Sequence, residues 1–148
     1  MRVDERVEEA VREAYRAVIA KDGDRLASAL AGLNEHEAQR AVRYAVFVVG
    51  FIVNDVFRNG ATEAELSGLA DKIIASESSW IELGPREDLA SLLSAAAGGD
   101  VTATSTARAD VVGNTFVVGG FLLTSFRLDD QRWWDYLDEI WAAMEAAD

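Results

Sequence analysis

The chain of 148 residues is 50% hydrophobic and 27% charged, enough for one domain with a sizeable core and too little to expect two, which excludes a disordered tail protein. With no cysteine and one histidine there is no disulfide framework, thiolate zinc site, iron–sulfur cluster, cysteine nucleophile or histidine-rich metal centre. A formal charge of −12 argues against nucleic acid, because holding a phosphate backbone rests on Lys and Arg releasing counterions.

The opening Met1-Arg2-Val3-Asp4-Glu5-Arg6 mixes both signs of charge and has no apolar stretch or small-residue cleavage site, so it is read as the lead into a helix of a cytoplasmic protein. At about 100° per residue, Val3, Val7, Ala10, Val11, Ala14 and Val18 share one stripe of that helix. Its opposite face carries Glu5, Glu8, Glu9 and Glu13. Arg12 and Arg16 lie between these acids as ion-pair partners, which favours a solvated face over a magnesium site. The helix is expected to run to about Lys21, after which Asp24 is the expected N-cap of a short helix carrying Leu26, Ala29, Leu30 and Leu33.

Asn34 with Glu37 three residues on is an Asn-led capping box. The segment behind it holds the longest apolar run, Ala45 to Val53, well short of the roughly 20 residues a membrane span needs. Val46 to Val53 has the composition of a buried strand. Continuity decides for a helix: no turn signal interrupts Glu35 to Arg58, and Ala38, Val42, Ala45, Val49, Ile52, Val53 and Val56 form one stripe. Asn59-Gly60 should end it. Thr62 with Glu65 is a second capping box, opening a helix through Leu66, Leu69, Ile73 and Ile74 that ends within residues 76–79. After a connector holding Trp80, Pro85 should start a helix with Leu89, Leu92 and Leu93 as core, stopped by Gly98-Gly99. Asp100 is the expected cap of a long helix to Arg127, and Asp129 or Asp130 of the last, to about Ala146.

The chain thus reads as all-α, a single-domain bundle of about seven helices. The stretch Phe51-Ile52-Val53-Asn54-Asp55-Val56-Phe57-Arg58 aligns with Phe121-Leu122-Leu123-Thr124-Ser125-Phe126-Arg127, and Leu-Ala-Ser recurs at 26–28 and 89–91. These matches suggest two helix, short-helix, long-helix units, about 3–60 and 62–128, closed by the C-terminal helix. Glycine inside a helix costs roughly 1 kcal/mol against alanine, so Gly50, Gly119 and Gly120 are expected to let the two long helices approach closely.

Residues 75–148 carry a net −9 against −3 for residues 1–74, and seven of those acids, against Arg132 alone, fall in the last twenty positions. In that last helix Trp133 should be core, and Trp134 marks the edge of the apolar arc. Trp134, Asp135, Asp138, Trp141 and Glu145 are therefore the candidate surface for a basic protein partner, as in a small non-catalytic inhibitor or immunity-type protein. Two alternatives stand beside it. One is a ligand-binding or enzymatic bundle with an apolar cavity between the long helices, lined by Phe51, Asn54, Phe121 and Thr124. The other is homodimerisation through the last helix. No catalytic set is legible: His36 stands alone in the first turn of its helix beside Glu35 and Glu37, there is no phosphate loop or nucleophile elbow, and the Glu-x-x-His pairs of di-iron bundles are absent. No metal or cofactor is implied.

Overall fold

The computed structural model describes residues 4–99, 109–126 and 131–146, and among these there are seven helices and no strand. They are α1 (Glu5–Ile19), α2 (Gly23–Ala31), α3 (Glu35–Val56), α4 (Glu63–Glu77), α5 (Arg86–Ala97), α6 (Ala109–Ser125) and α7 (Trp133–Ala146). Both capping boxes form. Asn34 and Thr62 accept from the backbone N–H groups of Glu37 and Glu65, whose carboxylates accept in turn from the N-cap N–H groups. The expected caps Asp100, Asp129 and Asp130 lie outside the described residues.

The start of α2 differs from the sequence reading. Asp22, not Asp24, is its N-cap, accepting from the Arg25 N–H at 3.0 Å. The cap falls two residues earlier than expected because the chain reverses at Lys21, whose φ of 57° is left-handed. That turn lets Lys21 Nζ donate to the Ser76 carbonyl, 3.0 Å away at the end of α4, and stand 3.6 Å from the buried Glu77 carboxylate. Glu77 also accepts from the Trp80 indole at 2.6 Å.

α3 is the central helix and packs against α6, α5, α1 and α7; α1 carries α2 and reaches across to α6, while α4 packs mainly on α5. The apolar stripe of α3 is buried from Val42 through Val53, but its expected ends are not: Ala38 is half-buried and Val56 is 36% exposed in the last turn. The glycines serve other neighbours than expected. Gly50 lies against the main chain of Ala96 in α5, and Gly119 and Gly120 lie against Tyr15 and Val18 in α1. α3 and α6 do touch, but the glycine faces point away from that contact, because side-chain periodicity assigns a face and not the helix that covers it.

The acidic face of α1 is threaded with arginine as expected: Arg12 pairs with Glu8, and Arg16 with Glu9 and Glu13. Arg25 of α2 reaches Glu13 at 2.5 Å, and this hydrogen bond holds the Glu13 carboxyl below the usual carboxylate range.

Tyr15 sits edge-on to Phe116, ring centroids 5.4 Å apart, with its hydroxyl buried and without a hydrogen-bond partner among the described residues. Burial alone pushes that phenol far above its ordinary pKa. A buried donor without a partner carries its full desolvation cost, so Tyr15→Phe is expected to stabilise the fold by about 1 kcal/mol. The check is a higher urea midpoint at unchanged slope; a lower midpoint would show that the hydroxyl contributes a bond.

Candidate functional site

Arg43, Phe47, Gly50, Phe51 and Asn54 recur at spacings of three and four, which places them in one row on α3, beside the buried stripe. That row forms one wall of an open groove of about 590 Å³. The other wall is the end of α5, Ala96 and Ala97, with Gly99 just beyond; Val46 and Asp55 complete the lining.

The groove is fixed by how α5 ends. The missing side chain of Gly50 admits the Ala96 carbonyl directly onto α3. One turn further along, Asn54 Nδ2 donates to the Ala97 carbonyl at 3.0 Å, satisfying one of the acceptors a helix leaves open at its C-terminus. Phe47 and Phe51 are half-buried against the core, their ring centroids 6.4 Å apart. Phe51 also meets Tyr136 of α7 edge-on at 6.4 Å. Tyr136 donates its hydroxyl to Asp55 Oδ2 at 3.1 Å; burial first, and then the Asp55 charge, push this phenol up and keep it a donor.

The two ends of the groove differ in charge. At one end stands Arg43, exposed and without an ion-pair or hydrogen-bond partner among the described residues, although Arg6, Arg12, Arg16, Arg25, Arg40 and Arg86 all pair with acids. At the other stand Asp55 and the negative C-terminal end of α5.

Of the four residues read as lining a cavity, Phe51 and Asn54 line this groove, and Phe121 and Thr124 do not. The groove opens between α3 and α5, not between α3 and α6. Phe121 packs partly buried against the core, and Thr124 Oγ1 donates to the Gly120 and Phe121 carbonyls of its own helix, at 3.2 and 3.1 Å. Such back-bonding satisfies a helical Thr locally.

The acidic, aromatic surface of α7 is brought together only in part. Trp134 is 41% exposed and Asp135 and Glu145 are exposed. The Arg132 guanidinium lies 5.1 Å from the centre of the Trp134 ring. Asp138 is engaged by Arg12 of α1. Trp141 turns inward, 5% exposed and edge-on to Tyr44 at 5.5 Å. Trp133, expected in the core, is only half-buried, and with Trp134, Arg12 and Arg16 it lines a second hollow of about 490 Å³. The buried side of α7 is Tyr136, Leu137, Ile140, Trp141 and Met144; Trp133 lies on the same side but at the first position of the helix, where it is only partly covered.

His36 is exposed, and among the described residues no three His, Asp or Glu side chains are grouped to hold a metal ion. No helix among them is long and apolar enough to cross a membrane. Sequence reasoning missed Arg43, Phe47, Ala96 and Ala97. The available signal was a phenylalanine pair four residues apart, flanked by Arg43 and Asn54, on a face the core stripe did not need. Comparison with family models, curated proteins and solved structures finds no match to the chain.

Proposed function

We propose that the chain binds a small, largely apolar molecule in the groove between α3 and α5. The observation that carries this reading is the pair Phe47 and Phe51, held half-buried along an open groove of about 590 Å³ when most large apolar side chains of α3 are fully covered. That volume falls in the range of small-molecule sites, which are concave, apolar and set with few polar groups. Here the polar groups are Arg43, Asn54 and Asp55.

A second reading, a basic protein partner docking on α7, is favoured by the exposure of Trp134 beside Asp135 and Glu145. The engagement of Asp138 by Arg12 and the inward turn of Trp141 weigh against it.

Octan-1-ol is a suitable neutral probe. Its titration, followed by NMR, is expected to move the ring resonances of Phe47, Phe51 and Tyr136 in a saturable way and to leave the Trp134 indole in place. Phe47→Ala should weaken binding by about fivefold, the loss expected from removing part of a buried apolar contact. Shifts scattered over the surface, or centred on Trp134, would overturn the groove assignment.

A further inference from the structure

We infer that the molecule held in this groove carries a singly charged anionic head group, a carboxylate in the simplest case, bound by Arg43, with its apolar part lying along Phe47 and Phe51. The inference rests on the groove being an apolar-ligand site and adds the charge and direction of the occupant.

Charge balance is the first support. Acids outnumber bases 26 to 14 in this chain, and six of the nine arginines among the described residues pair with an acid; Arg43 does not. Arg58, Lys72 and Arg132 also have no acidic partner among the described residues, but none of them lines the groove; among the described residues Arg43 is its one cationic lining residue. A guanidinium presents paired donors in a plane, which matches the two oxygens of a carboxylate.

The opposite end supplies the second support. Asn54 and Asp55 follow Arg43 by eleven and twelve positions, about 17 Å along a helix axis. There the Asp55 charge and the terminal carbonyls of α5 both repel an anion, so the head group has one favourable end and the apolar part must extend from it. Phe47, Gly50, Phe51, Ala96 and Ala97 occupy the interval and offer that part no charge. One cation inside a molecule of net charge −12 also favours a singly over a doubly charged head group.

Octanoate, octan-1-ol and octylammonium share one alkyl chain and differ in charge. Calorimetric titration of each into the wild-type chain, Arg43→Gln and Arg43→Lys tests the inference. Octanoate is expected to bind the wild type about tenfold tighter than octan-1-ol, the worth of a charged hydrogen-bonded pair at a partly open site, and octylammonium more weakly than either. Arg43→Gln should abolish that preference, bringing the octanoate affinity down to that of octan-1-ol for the same variant, while Arg43→Lys keeps part of it. Equal affinities for the three probes, or an octanoate preference that survives Arg43→Gln, would overturn the head-group assignment and leave the apolar groove standing. Failure of all three to bind would overturn the groove reading itself, and this inference with it.

Discussion

Gly50→Ala is expected to destabilise the fold by about 2 kcal/mol, although the same change in an open helix would stabilise it by about 1 kcal/mol. An alanine Cβ at this position would fall on the carbonyl of Ala96. The obstacle is main chain, in the last turn of α5, and no side-chain rotation removes it. Either α5 moves off α3, and the Asn54 bond to Ala97 lengthens with it, or the clash stays as strain; overpacking of this kind costs about 1–3 kcal/mol, more where the backbone cannot give. The check is the urea midpoint together with the chemical shift of the Asn54 side-chain amide. An unchanged amide and a higher midpoint would mean that α5 does not sit where it is described.

Gly120→Ala is expected to cost about 2 kcal/mol for a different reason, and one that can be reversed. Its Cβ would lie 2.5 Å from Val18 Cγ1 and 3.1 Å from Val18 Cβ, and Val18 is only 1% exposed. Val18→Ala alone should also destabilise, by about 1–2 kcal/mol, because it opens a cavity in the α1–α6 contact. Together the two changes remove both Val18 methyls and return one at position 120, leaving only the 3.1 Å approach to the position-18 Cβ. The double variant should therefore lie at least about 1 kcal/mol above the additive expectation. Strict additivity would mean that α1 and α6 are not in contact at this pair. Gly50→Ala offers no such rescue, since no substitution shortens a carbonyl.

Helix identity and most helix limits were legible because their causes are local. A capping box is complete within four residues, so Asn34 with Glu37 and Thr62 with Glu65 locate two helix starts without reference to the rest of the chain. The long apolar run of α3 was readable as helix from its unbroken stripe. Asp22 was missed because Asp22 and Asp24 are both good caps, and the choice falls to the reversal at Lys21, whose side chain is held at the end of α4. What could not be read was every pairing between distant elements. Asp138 counted as a free acid in the sequence, yet it belongs to Arg12. Arg43 has no motif around it, and its importance lies in what is missing near it, a property of the assembled bundle. Trp134 and Trp141 share a helix edge at seven residues' separation, and only the place where α7 meets α3 decides that Trp141 turns inward and Trp134 stays open.

The pairing of Arg12 with Asp138 joins positions 126 apart in sequence, and Tyr15 and Val18 rest on Phe116, Gly119 and Gly120 of α6. During synthesis α1 emerges first, with an apolar face that α2 shelters only in part. α3 adds to that cover, but the part that α6 supplies is encoded about ninety residues after α1 ends, so it stays open until α6 has left the ribosome. Closure of long loops is slow relative to local helix formation, and chains are made at about 5–20 residues per second. For several seconds the nascent helix therefore presents Tyr15 and Val18, the residues that later rest on α6, to its surroundings.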